Sequence, residues 1–301
     1  MSLYALSLLT DRQLIIDIDN PCDFEQIYLP NLVNWRPNQL LNVKKPKRIY
    51  FNCHNWPTCV KKFNPNHSDA SSIFSNDIIV ITGPNYDWLE YFASNAHFRN
   101  VTQKLGITDF RLAKVFRDWF DQLFKLSDSL QAKYALVLNQ ARLTNQTRVF
   151  CAQIRIGGKL ANGRKDKVIN DANSTRLFWR FIRDNFVAEQ RNVDWRVFVT
   201  SDSESVENEA IVEFGRERVI RITGLNSHID KQDTAKYSDC SRIEKPMLDF
   251  HFMRHCHNAV VSNSGFGILG AWSREKPIIG KAFVFYRGRF KPLTDNTMPF
   301  G

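Results

Sequence analysis

The chain has 301 residues and a mass of 35.1 kDa, is 43% hydrophobic and 13% aromatic, and carries a formal net charge of +10 with a pI near 9.4. That is enough apolar material for one large core or two medium ones, and two domains are expected. The basic balance asks for an anionic partner, but the cations are scattered apart from Lys44, Lys45, Lys47 and Arg48, and no recognition helix or aromatic platform favours nucleic acid.

Residues 2–10 read as a helix; the apolar run Leu3 to Leu9 is too short, and lacks the basic flank, for a signal peptide or a membrane span. "RQLIIDID", Arg12 to Asp19, reads as a buried strand leading into Pro21, so the chain opens inside a domain whose start is expected to be truncated. "DIIVITG", Asp77 to Gly83, reads as a second strand, followed by an aromatic-rich helix around Tyr86 to Phe92. From Asp109 to about Leu138 the pattern is helical, with Phe110, Leu112, Val115, Phe116, Trp119, Phe120 and Phe124 mostly at core spacing, a stripe that reads as core rather than as a cofactor box.

After "NQTR" the texture becomes a regular alternation. Strand Val149 to Ile156 precedes a helix near Arg176 to Asn185, strand Trp195 to Ser201 a helix from Ser203, and strand Arg218 to Thr223 the helix "KPMLDFHFMRHCH". Strand "NAVVS", a glycine-rich turn, a short helix and strand "KPIIGKAFVFY" complete the series. Five strands alternating with helices predict a parallel sheet, whose ligands bind beyond the carboxyl ends of the strands. The expected domains are 1–146 and 147–301.

Six cysteines, Cys22, Cys53, Cys59, Cys151, Cys240 and Cys256, make an even count without a dense framework, so the redox compartment stays open. Cys53 and Cys59 read as a disulfide in an oxidising compartment, ahead of a zinc pair. Asn66, Asn100, Asn145 and Asn173 begin N-x-S/T triplets and lean slightly towards a secretory lumen.

The strand ends hold the chemistry. Arg155 emerges from an apolar strand beside Gly157 and Gly158; its planar fork suits a diphosphate, and a structural salt bridge is the alternative. Ser201, Asp202 and Ser203 end the next strand, with Glu204 and Glu207 in the first helical turn; capping is the first role of Asp202 and Ser203, ligand contact a second. Asp249 lies among Met247, Leu248, Phe250, Phe252 and Met253, where a carboxylate needs a donor-rich ligand or an arginine. His251 and His255 have zinc spacing but no third ligand, and read as partly exposed helix histidines; no metal is expected. Gly265, Gly267 and Gly270 form G-x-G-x-x-G, which cradles phosphate at a helix N-terminus or lets the helix pack close to the sheet. The acidic residue a dinucleotide site needs about twenty residues on is missing.

"AQIRIGG", "VFVTSDS" and "LDFHFMRHC...NAVVSNSGFGILGAW" together resemble the three C-terminal motifs of the fucosyltransferase superfamily that includes the N-glycan core, Nod-factor, blood-group type and protein O-fucosyltransferases. "RQLIIDIDNPC" and "FDQLFKLSDSL" are similar to its first-domain strand and the helix before its first motif. The resemblance implies a GT-B fold, two Rossmann-like domains facing a cleft with a parallel C-terminal sheet, and inverting, metal-independent transfer of fucose from GDP-fucose to a glycan or glycoprotein. It implies that Arg155 holds the diphosphate, that Asp249 binds the guanine or ribose side, and that Ser264, Gly265 and Phe266 turn over the phosphates. Gln153 stands where the family often has histidine, and Ile156 where many members have a second arginine. Donor contacts are thus expected from Gln153, Arg155, Asp202, Ser203, Asp249 and the 264–266 turn. Asp166 is the candidate base, with Asp171 beside it, and a Golgi or ER lumen is implied. The competing readings are a catalytically inactive descendant of the same fold, then an NAD(P)-dependent oxidoreductase, and last a basic nucleic-acid binder.

Overall fold

A computed structural model describes residues 1–18, 22–36, 48–52, 78–82, 98–104, 112–158, 166–190, 192–225, 240–274 and 281–295. The chain forms two compact units, one of Met1–Asp17 with Pro30–Leu123 and one of Ile18–Leu29 with Phe124–Gly301.

In the first unit, α1 (Ser2–Leu9) opens the chain as the sequence predicts. Its Tyr4 ring meets Trp119 edge-on at 5.3 Å and its hydroxyl donates to Gln122 Oε1 at 3.2 Å. Strands β2 (Arg48–Asn52) and β3 (Ile78–Thr82) pair in parallel, Arg48 opposite Ile78. Helix α2 (Arg99–Lys104) is followed by α3 (Leu112–Leu123), which buries Ala113, Phe116, Trp119, Phe120 and Leu123 along one stripe. That periodicity is the aromatic pattern of the sequence, and it makes core. The strand expected at Arg12 to Asp19 does not form in the described residues 12–18: Ile16 N reaches Trp35 O at 3.0 Å, but the segment joins no sheet, and apolar composition without a ladder partner leaves it irregular.

The long helical stretch of the sequence is also broken. Short strand β4 (Phe124–Leu126) pairs with β1 (Tyr28–Pro30), and Ser127 Oγ, accepting from Leu130 N, caps α4 (Asp128–Ala141). An N-cap serine favours a fresh start over continuation of the preceding helix.

The second unit is built on six strands in the order β10-β9-β8-β5-β6-β7. Strands β5 (Arg148–Ile154), β6 (Trp195–Ser201), β7 (Val219–Ile220), β8 (Asn258–Ser262) and β9 (Ala282–Tyr286) run parallel, and β10 (Arg289–Pro292) turns back antiparallel on β9. The parallel sheet matches the expectation; the strand expected over Arg218 to Thr223 is only two residues long, and the final hairpin was not foreseen. Helices α5 (Ala172–Ile182) and α6 (Glu204–Phe214) cover one face, where Phe150, Ala152, Ile154, Val197 and Val199 meet Phe178, Trp179, Ile182, Val206 and Ala210. Helices α7 (Ser241–Phe252) and α8 (Gly265–Trp272) cover the other, with Phe252 against Phe198 at 4.4 Å.

Two disulfides tie this unit across long stretches of chain: Cys22–Cys240, separated by 218 residues, and Cys151–Cys256, separated by 105. Cys53 and Cys59, and the helix expected near Tyr86 to Phe92, lie outside the described residues.

Candidate functional site at the carboxyl end of the sheet

Strands β8, β5 and β6 lie side by side in the sheet, so their carboxyl ends bring Ser262 to Ser264, Arg155 and Asp202 together. Arg155 is fastened by its backbone: its N–H donates to Ser262 Oγ at 2.9 Å, and its carbonyl accepts from Asn170 Nδ2 at 2.7 Å. Asn170 also donates to Ser262 Oγ at 2.9 Å. Asn170 and Ser262 are buried polar residues that the sequence reading passed over; only the paired strand ends reveal them.

The Arg155 guanidinium forms an ion pair with Asp166 through NH2, while its Nε is buried with no hydrogen-bond partner. An orphaned N–H on a cation is a donor waiting for an acceptor. Asp166 itself is nearly covered, its side chain 4% exposed, and its backbone N–H donates to Gly158 O at 2.7 Å. Asp171 is instead the N-cap of α5: it accepts from Ser174 N at 2.8 Å, and that bond lowers its pKa.

The turn after Arg155 depends on glycine. Gly157 has φ +74° and Gly158 φ +87°, and a Cβ on Gly157 would lie 2.0 Å from the Lys167 carbonyl oxygen. Asp202 holds the same turn, its carboxylate accepting from Ile156 N at 2.8 Å and Gly157 N at 3.0 Å. Helix capping, the first role expected of Asp202 and Ser203, is therefore not what their side chains do. Asp202 bridges to the neighbouring strand, and Ser203, at the N-cap position of α6, makes no side-chain cap but a 2.8 Å bond to Ser205 Oγ.

Ser264 caps α8, its Oγ accepting from Gly267 N at 3.3 Å and donating to Gln153 Oε1 at 3.3 Å. Gly265 and Phe266 begin the helix, and the Phe266 ring meets Phe250 at 5.8 Å. A Cβ at Gly267 would stand 2.2 Å from Gln153 Oε1, and one at Gly270 2.5 Å from Met253 Sδ. These two glycines let α8 lie against β5 and the residues after α7. Close packing and a capped helix N-terminus are compatible, and at such an end the helix dipole favours negative charge.

Asp249 faces neither an arginine nor open space. Its Oδ2 accepts from Lys245 Nζ at 2.7 Å and from Thr200 Oγ1 at 2.8 Å, and Lys245 also meets Glu207 Oε1 at 2.9 Å, all with side chains 3–4% exposed where the ion pairs are concerned. Burial pushes the Asp249 carboxyl up to about 6 against the pull of Lys245, and burial likewise raises Glu207. Burial opposes the Lys245 charge, but Asp249 and Glu207 outweigh it and hold its pKa above the usual value. Asp249 Oδ1 remains buried without a partner. The lysine one helical turn before Asp249 was the available signal, and the sequence reading missed it.

His251 is buried rather than partly exposed, its Nε2 3.1 Å from the Tyr28 hydroxyl; His255 Nε2 is 2.9 Å from the Tyr134 hydroxyl. No group of three metal-ligating side chains occurs among the described residues. Among the described residues no helix is long and apolar enough to cross a membrane.

No protein-family model and no curated protein sequence matches the chain. Solved structures do: FUT1 of Arabidopsis thaliana, a point mutant in complex with GDP, at 15% identity and TM-score 0.67, covering 96% of this chain and 66% of that one. NodZ alpha-1,6-fucosyltransferase co-crystallised with GDP matches at 12% identity and TM-score 0.56 over 96% of this chain and 90% of its own. The fucosyltransferase NodZ from Bradyrhizobium matches at 11% and 0.53, again over 96% and 90%. The chain has the GT-B fold of these proteins, and it spans just under two thirds of the length of the Arabidopsis FUT1 chain.

Proposed function

We propose that this chain is a member of the fucosyltransferase superfamily and transfers fucose from GDP-fucose to a glycan or glycoprotein hydroxyl. The observation that carries this reading is Arg155: a cation at the central strand end with a buried, unpartnered Nε, beside the capped N-terminus of α8. In this reading the diphosphate lies across Arg155 and the 264–266 turn, with Gln153, Asp202 and Ser203 shaping the pocket wall and the orphaned Asp249 Oδ1 accepting from the guanine or ribose. That a fucosyltransferase of the same fold was crystallised with GDP supports the choice of nucleotide.

The acceptor hydroxyl loses its proton to a base, its oxygen bonds to C1 of fucose from the face opposite the phosphate, and the C1–O bond to the β-phosphate breaks. The departing GDP gains negative charge, which Arg155 and the α8 dipole stabilise without a metal. Diphosphate binding exchanges with the Arg155–Asp166 pair, so that Asp166, released, serves as the base. The two disulfides support a lumenal, oxidising compartment such as the Golgi or ER.

The test is a thermal-shift series with GDP, GDP plus EDTA, and NAD, together with sugar release from a panel of GDP-sugars. The reading expects stabilisation by GDP unchanged by EDTA, none by NAD, and release of fucose. A response to NAD and not GDP would revive the oxidoreductase, and a GDP response that EDTA removes would require a metal. GDP stabilisation with no sugar release would mark an inactive descendant.

A further inference from the structure

Neither the motifs nor the donor site explain the final hairpin of the sheet. Strand β9 runs parallel to β8, with Ser262 opposite Phe285, so the β9–β10 turn projects from the same end of the sheet as Arg155 and the start of α8, two strands over from β5. Arg287 has φ +49° and Gly288 φ +76°, the two left-handed residues of a tight hairpin turn.

Around this turn stand three exposed cations. Arg289 is directly opposite Tyr286 in the register and Lys291 lies diagonal to it, while Phe285 and Phe290 point to the other face, onto Phe178 of α5. The Arg287 guanidinium lies 5.1 Å and the Lys291 ammonium 5.6 Å from the Tyr286 ring centre. None of the three pairs with a carboxylate, so their charge is uncompensated among the described residues. Lys291 and Pro292 also keep the sheet edge from pairing, but that purpose needs no arginine at the tip.

We infer that this hairpin tip is the docking surface for an acidic acceptor, a glycan chain bearing carboxylates, which it draws to the carboxyl end of the sheet. The inference rests on the fucosyltransferase reading for the word acceptor; the surface and its charge do not. Cations gathered on one hairpin, Arg287 in its turn and Arg289 and Lys291 on its second strand, suit closely spaced acidic groups. The one aromatic ring there is already taken by two of those cations, which argues against base stacking and so against nucleic acid. Exposed contacts of this kind attract and orient, and salt weakens them.

The experiment compares binding of a fluorescent oligogalacturonide with that of a neutral oligomaltoside of matching length, at low and raised salt. The proteins are the wild type, the triple variant Arg287→Ala, Arg289→Ala, Lys291→Ala, and a control, Arg176→Ala with Arg180→Ala, that removes exposed charge from α5 on the opposite face. The inference expects salt-sensitive binding of the acidic chain alone, about tenfold weaker in the triple variant, equivalent to about 1.4 kcal/mol, and unchanged in the control. It is overturned if the wild type does not prefer the acidic chain, if the triple variant keeps its affinity, or if the control loses as much. It is also overturned if duplex DNA or anionic vesicles bind the tip more tightly than the oligogalacturonide. The GDP melting shift, measured on every protein, reports on the donor site separately: its absence alongside intact tip binding fails the donor reading and leaves the surface standing.

Discussion

Replacing Lys245 with methionine tests the buried cluster behind the site. The substitution keeps the length of the side chain and removes its charge, leaving Asp249 and Glu207 buried with no cation between them; Lys245 now holds them at 2.7 and 2.9 Å. Removing one partner of a buried ion pair costs about 3–5 kcal/mol. At about 2–4 °C per kcal/mol for a unit of this size, the melting point should fall by roughly 6–20 °C at neutral pH. The pH dependence has a definite sign. Asp249 is raised to about 6 in the folded chain, and Glu207 is raised as well, so the folded state holds their protons more tightly than the unfolded one. Their favourable contribution is complete below the ordinary carboxylate range and is lost as pH rises through about 6. Without Lys245 both acids rise further, the loss extends to higher pH, and the gap between variant and wild type should widen from acid to mildly alkaline pH. Circular-dichroism melts across that range are the assay. Adding Glu207→Gln and Asp249→Asn to Lys245→Met should recover most of the stability, because no buried charge is then left alone. A Lys245→Met melting point within about 2 °C of the wild type at every pH, the effect of an ordinary surface change, would refute the buried cluster.

Arg155→Ala should lose most of the stabilisation by GDP: at about one hundred times the dissociation constant a ligand adds roughly 2.7 kcal/mol, and losing a hydrogen bond to a charged group removes about 1.5–3 kcal/mol of binding. An undiminished thermal shift in a well-folded variant would take Arg155 out of the donor site. Gly157→Ala forces a Cβ into the Lys167 carbonyl at positive φ, so it should lower both stability and GDP binding; titration calorimetry showing wild-type affinity would separate the turn from the site. Replacing Cys151 and Cys256 together with serine should cost about 2–5 kcal/mol, read as a fall in the denaturant midpoint, and an unchanged midpoint would show that the bridge adds nothing to the folded chain.

The alternation of apolar strands and amphipathic helices from Arg148 onward, the core stripe of α3, and Arg155 and Ser264 at strand ends were all legible in the sequence, because each is written in the spacing of residues within one segment. The irregular path of residues 12–18 was not, since an apolar run becomes a strand only when a neighbouring strand offers its backbone. The pairing of Lys245 with Glu207 was not either, nor Asp202 reaching across to Gly157, Asn170 behind Arg155, nor Cys22 bonded to a cysteine 218 residues away. Asp249 shows the division most plainly. Its place on an apolar helix says that the carboxylate must be satisfied, since an isolated charge does not survive burial. Which group satisfies it is decided by what the fold brings within about 3 Å, here a lysine one turn back and a threonine from the adjacent strand.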